Sequence, residues 1–204
     1  MSELQWQSAI WIGPVYIGLS GIGFAIFHSL AATHRCKAMF YAMGMQVHHY
    51  RLLYSVLGLL TTLGWLWFIY SLENTQLYAT SGFTFWLLIA AQLLGAVIAF
   101  AALLPIDGAV FLGLKKSEFS PDPFVVSGIY NYLRHPMYAG LMLFLLASPE
   151  QSYNGLAFTL VVSAYMVYGS KLEEKRLLAE HPDYLQYQQE VPAFVPTLKS
   201  LKKR

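Results

Sequence analysis

The chain has 204 residues, 56% of them apolar or aromatic and only 12% charged, with a net charge of +2. A soluble domain carries about 25% charged residues, and the mean hydropathy of +0.47 points the same way. These values exclude a soluble globular domain, a disordered chain and a nucleic-acid binder, which needs a large basic surface. The one cysteine, Cys36, excludes an intrachain disulfide and a Cys-based zinc site. A polytopic membrane protein remains.

Runs free of Asp, Glu, Lys and Arg locate the spans: 4–34, 52–72, 74–106, 135–149 and 151–170. A membrane helix needs about 20 mostly apolar residues. The expected helices are therefore 9–31, 51–70, 83–105, 137–148 and 153–170. The last two are short and separated by Ser148-Pro149-Glu150-Gln151, so they read as a spanning or re-entrant hairpin. The expected fold class is an all-α integral membrane protein of about five transmembrane helices, forming one domain over 1–204 with a cytoplasmic C-terminal helical cap over 171–204. No repeat or low-complexity segment divides it.

All 13 Lys and Arg fall in the first loop, the third loop and the C-terminal segment. The positive-inside rule puts those segments in the cytoplasm and the N-terminus outside. Met1–Gln7 has no basic residue, so the first helix is expected to be a retained anchor and not a cleaved signal peptide. The long polar segments, 107–136 and 171–204, then share the cytoplasmic face.

The first of them ends in Gly128-Ile129-Tyr130-Asn131-Tyr132-Leu133-Arg134-His135-Pro136-Met137-Tyr138. Proline suits the first turn of a helix, where its missing N–H costs nothing. Arg134 and His135 then precede a helix N-terminus, a place that favours an anionic group. Tyr130, Tyr132 and Tyr138 offer ring faces to an adenine or a sulfonium. The same residues also suit an interfacial anchor, with Arg snorkelling and Tyr among the headgroups. Glu173 and Glu174 stand at a membrane exit that otherwise collects cations. They suit a ligand's ammonium and hydroxyls, or equally a solvated amphipathic helix with Glu–Lys pairs. His181-Pro182 should end that helix, and Tyr184–Tyr187 resumes a short one.

Taken together, Gly128-x-Tyr130, Arg134-His135-Pro136-x-Tyr138, Glu173-Glu174, Tyr184-x-x-Tyr187 and Val191-Pro192 with Pro196 make a pattern. It is similar to the C-terminal half of the isoprenylcysteine carboxyl methyltransferase and phospholipid methyltransferase superfamily, over about 122–201. That resemblance implies an integral membrane methyltransferase using S-adenosylmethionine. It implies a cofactor pocket near Asp122, Val125, Tyr130, His135, Pro136, Met137, Tyr138, Glu173 and Glu174, with Arg134 taking part in catalysis. No Gly-rich fingerprint of the soluble nucleotide folds is present, and Gly21-x-Gly23 reads as a packing site inside a span.

The N-terminal half carries Phe24-x-x-Phe27-His28-Ser29-x-x-Ala32, Lys37 and Tyr50-Arg51-x-x-Tyr54. This resembles the thiol-methylating branch, the bacterial methanethiol S-methyltransferases and their NnrU-like relatives. Prenylcysteine enzymes have an Arg shortly before the Glu cluster, where this chain offers only Lys171. A neutral thiol needs no such cation, but it does need deprotonation. His28, near the cytoplasmic end of the first helix, is the candidate base, and a hydrogen bond to a neighbouring helix is its plainer role. His34, His48 and His49 are expected in interfacial loops, and no metal site is expected.

The expected partners are a small-molecule or lipid-like acceptor and membrane lipids, with no obligatory protein partner. Carboxyl methylation of a prenylcysteine and N-methylation of a lipid remain alternatives. So do a dinucleotide-dependent reductase and a non-catalytic NnrU-like accessory protein. A bacterial inner membrane is the expected location.

Overall fold

The computed structural model describes residues 3–118, 124–197 and 200, with side chains from residue 10 onward. Helices dominate: α1 (Glu3–Ala32), α2 (His34–Ala42), α3 (Val47–Ser71), then strand β1 (Gln76–Ala79) and α4 (Gly82–Ala101). There follow α5 (Gly108–Leu112), a 3-10 turn (Gly128–Asn131), α6 (Pro136–Leu146), β2 (Glu150–Ser152), α7 (Tyr153–Glu180) and α8 (Tyr184–Glu190).

Among the described residues, four helices are long and apolar enough to cross a membrane: α1, α3, α4 and α7. Their outer faces carry large apolar side chains with little cover, such as Trp67 at 73% exposure and Phe83 at 82%. Water would not tolerate such faces over whole helices, whereas lipid does. The protein is integral to a membrane. The fifth expected span, α6, has 11 residues. At 1.5 Å per residue it rises only about 16 Å, roughly half of a 30 Å hydrocarbon core.

Three expectations need correction. His34 opens α2, and His48 and His49 lie in the first turn of α3, so none of the three is in a loop. Thr33 caps α2 by accepting from the Cys36 amide at 3.3 Å, a start signal hidden by the low apolar content of this segment. The helix expected over 153–170 does not stop at 170, because α7 continues through the Glu pair to Glu180. Lys, Glu, Arg and Leu are good helix formers and Pro182 supplies the stop. The turn before α7 is a strand: β2 pairs antiparallel with β1, Ala79 opposite Glu150 and Gln76 opposite Ser152.

The described chain falls into two compact units. The first comprises residues up to 79, 107–117 and 150–165. Trp65 of α3 stacks on Phe24 of α1 at 4.9 Å and donates its indole N–H to Ser20 Oγ at 2.9 Å. Gly21 is indispensable to this contact, since a Cβ there would strike Val161 and Trp65, whereas Gly23 faces open space. Asn154 at the start of α7 donates to the Glu73 carbonyl at 3.0 Å, tying the β1 approach down.

The second unit comprises 80–106, 118–149 and 166 onward. Here α4 and α6 meet backbone to backbone at Gly95 and Gly140. A Cβ on Gly140 would stand 2.5 Å from the Ala99 nitrogen and 2.5 Å from the Gly95 carbonyl. Small residues of this kind let membrane helices approach closely where no hydrophobic effect drives them together. The contact fixes α6, and so fixes the loop that leads into it.

Candidate active site

Pro136 occupies the first turn of α6, and His135 immediately before it turns out of the helical path with φ −123° and ψ 60°. The backbone N–H groups of Arg134 and His135 therefore do not point at open space. They donate to the carbonyls of Pro192 and Ala193 at 2.9 and 3.0 Å. The strand-like segment after α8 thus straps the loop from behind.

The side chains close the same knot from the other direction. Arg134 Nε donates to Glu174 Oε1 at 2.7 Å, and its Nη1 donates to the carbonyls of Gln188, at 2.8 Å, and Val191. His135 Nε2 lies 2.8 Å from the same Glu174 oxygen, and Gln188 Nε2 donates to Glu174 Oε2 at 2.8 Å. Glu174 is thus engaged by three side chains. A carboxylate only accepts, so His135 carries its proton on Nε2. Its Nδ1 stands 3.8 Å from Glu173 Oε2. His135 itself is buried, at 5% exposure, while Glu173 remains open at 39%.

Aromatic rings frame the knot. Tyr138 stacks parallel to His135 at 5.8 Å, and Phe194 covers the imidazole at 5.6 Å. Phe124, Tyr184 and Tyr187 form a second cluster with centroids 5.2 to 5.7 Å apart. Tyr187 donates its hydroxyl to the Tyr130 carbonyl at 2.7 Å. Burial, and after it the charge of Glu174, pushes the Tyr184 hydroxyl up to about 12, and burial raises Tyr187 and Tyr130 as well. All three stay protonated at neutral pH. Beside them His181 Nε2 is buried and has no hydrogen-bond partner among the described residues.

Of the expected site residues, Tyr130, Arg134, His135, Pro136, Met137, Tyr138, Glu173 and Glu174 belong to this unit. Val125 lies half-buried in the extended stretch that leads into the 3-10 turn. Asp122 lies outside the described residues. His28 belongs to the first unit, where its Nε2 stands 3.1 Å from Thr61 Oγ1. Phe124 lies between the expected Asp122 and Val125, and Phe194 and the strap lie within the Val191-Pro192 to Pro196 pattern. Gln188 had no signal in the sequence: its type and spacing are ordinary, and only the return of the chain onto the loop gives it a role.

The knot has one fixed cation, Arg134, against two carboxylates, with His135 between them. The knot and its aromatic rings stand at the head of a short apolar helix within an integral membrane protein. The family model described as "NnrU protein" matches residues 17–180, and the chain belongs to that family. It is 35% identical to methanethiol S-methyltransferase 2 of Bradyrhizobium diazoefficiens over 86% of this chain and 70% of the relative. It is 30% identical to a methanethiol S-methyltransferase of Crocosphaera subtropica, over 88% and 73%. A protein-S-isoprenylcysteine O-methyltransferase of Xenopus laevis matches at 27% over 54% and 40%. The superfamily expected from the C-terminal pattern is thereby shown. No solved structure matches the chain.

Proposed function

We propose that this protein methylates a small thiol with S-adenosylmethionine, at the membrane surface. The observation that carries the donor is the charge balance of the knot. S-Adenosylmethionine has a carboxylate, an ammonium and a sulfonium, and is a net monocation, which suits a site of two carboxylates and one fixed cation. The open carboxylate of Glu173 suits the ammonium. Tyr138 and Tyr130 offer ring faces to the sulfonium. The aromatic cluster of Phe124, Tyr184 and Tyr187 suits the adenine, and buried, unpartnered His181 Nε2 suits a polar edge of the base or ribose.

When bound, S-adenosylmethionine supplies an electrophilic methyl group: a sulfur lone pair on the acceptor forms the new C–S bond as the donor's S–CH3 bond breaks. The chain's own work is to orient and to exclude water. Arg134 spends its donors on Glu174 and two strap carbonyls, so its proposed role is positioning. It sets Glu174, and Glu174 fixes the His135 ring through Nε2. A lost ångström in such positioning costs rate out of proportion to the contact.

The thiol acceptor is supported by the two relatives named for methanethiol. In this proposal the chain sits in a bacterial inner membrane with its N-terminus outside and the knot on the cytoplasmic face. The support is the confinement of Lys and Arg to 35–51, 115–134 and 171–204. The test is methyl transfer from S-adenosylmethionine to methanethiol by detergent-purified protein, with S-adenosylhomocysteine binding followed by calorimetry. Saturable binding and dimethyl sulfide formation are expected. A well-folded protein that binds no S-adenosylhomocysteine would overturn the reading.

A further inference from the structure

The first unit holds a cavity of about 210 Å³ between α1, α2 and α3. Its wall includes Phe27, His28, Ala31, Cys36, Phe40 and Leu53. Apolar groups dominate that wall. The pocket is partly open, and its apolar wall suits an uncharged molecule. A carboxylate or an ammonium would lose its hydration there with no fixed opposite charge in the wall.

Cys36, Tyr50, Tyr54 and His28 are the polar residues of the wall, and His28 is held in a defined state. Thr61 has one hydroxyl proton, and its Oγ1 lies 2.7 Å from the Leu57 carbonyl, its acceptor one turn back. The hydroxyl oxygen must then accept from His28 Nε2, 3.1 Å away. That places the imidazole proton on Nε2 and the lone pair on Nδ1. Phe24, at 4.2 Å between ring centres, and Tyr54, at 5.9 Å, hold the ring in place. Gly58 makes room beside it, since a Cβ there would come within 3.3 Å of His28 Cε1.

Resting on the reading above, we propose that this cavity binds the acceptor, a small aliphatic thiol. The alkyl group lies against Phe27, Phe40 and Leu53 and the S–H donates to His28 Nδ1. In the proton step the S–H bond breaks, its electron pair stays on sulfur as the thiolate, and the new N–H forms at Nδ1. The imidazolium keeps its other proton on Thr61. Thr61 is the positioning residue, because it decides which ring nitrogen is basic.

The test uses the full-length protein in detergent and has two arms. In the first, KM is measured for methanethiol, ethanethiol and 1-butanethiol in wild type, Ala31→Leu and Thr61→Val. Ala31→Leu should raise thiol KM about tenfold, most for the longest thiol, and leave S-adenosylhomocysteine affinity unchanged. Thr61→Val should move the pH profile of kcat/KM with KM little altered. Thiol KM values equal in wild type and Ala31→Leu would overturn the cavity while leaving thiol methylation standing. In the second arm, dimethyl sulfide is tested as a protectant of Cys36 against N-ethylmaleimide. Several-fold slower labelling of wild type is expected, with no further protection in Ala31→Leu. An unchanged rate in wild type overturns the inference whatever becomes of the activity. Protection without any methyl transfer would retain the cavity as a thiol and thioether site and remove the enzymatic reading.

Discussion

His135 Nε2 and Glu174 Oε1 stand 2.8 Å apart, and that one carboxylate oxygen is shared with Arg134 Nε at 2.7 Å. Two buried donors from adjacent residues therefore depend on a single acceptor. Glu174→Gln keeps the shape and removes the charge, leaving the Arg134 guanidinium at 11% exposure without its counterion. Breaking a buried pair in this way costs about 3 kcal/mol. Thermal unfolding in detergent should show a clearly lower midpoint. An unchanged midpoint would mean the pair is solvated and contributes no stability.

Glu173 should behave differently, because it is the open carboxylate of the pair. Glu173→Gln should leave the unfolding midpoint near wild type. It should weaken the sulfonium donor about tenfold, the size of one charge-assisted hydrogen bond. The product S-adenosylhomocysteine keeps the ammonium that Glu173 is proposed to meet, so its affinity should fall by a similar factor. Calorimetry with both ligands checks this, and unchanged affinity for both would refute the role of Glu173.

The α4–α6 contact makes a sharp prediction about packing. Gly140→Ala drives a methyl group into the Gly95 carbonyl and the Ala99 nitrogen, both backbone atoms that cannot move aside. A cost of about 1 to 3 kcal/mol is expected, read as a lowered unfolding midpoint. Gly23→Ala, with nothing near its Cβ, should stay within about 0.5 kcal/mol of wild type. If both variants behave alike, the close approach of the two helices is wrong.

Tyr184 supplies a pH dependence. Its side chain is 2% exposed, and burial pushes its hydroxyl up to about 12, from the usual value near 10. Between those values the folded state keeps a proton that the unfolded chain releases. The contribution to stability is complete below pH 10 and is lost as pH rises towards 12. The wild-type midpoint should therefore fall more steeply than that of Tyr184→Phe between pH 9 and 11. Raised Tyr130 and Tyr187 leave the variant some slope of its own. Parallel curves would show that Tyr184 is solvated.

The membrane spans and the loop before α6 were legible because both depend on local chemistry. A charge-free run of about 20 residues reads as a span from its own chemistry, and Arg-His-Pro before an apolar run reads as a helix start. What remained hidden depends on the chain returning to itself. Both carboxylates of the Glu pair read as equal ligand candidates in the sequence. Gln188, 14 residues further on, binds one of them and makes them unequal. The β1–β2 ribbon has strands of four and three residues, too short for any alternation to show. Gly21-x-Gly23 read as one packing site, yet only Gly21 meets a neighbour, whereas Gly95 and Gly140 pair across two helices and share no local pattern.

The strap on Arg134 also gives the protein a timetable. Its acceptors, the carbonyls of Gln188 and Val191, are made 54 and 57 residues after it. At 5 to 20 residues per second, a ribosome needs roughly three to eleven seconds to cover that distance. All of α7 is made during the interval, and the guanidinium has neither acceptor until it is complete. Completion of the last long apolar helix and closure of the knot are thus separate events in the life of each molecule, in that order. A chain cut before residue 188 would hold every long apolar helix and no strap.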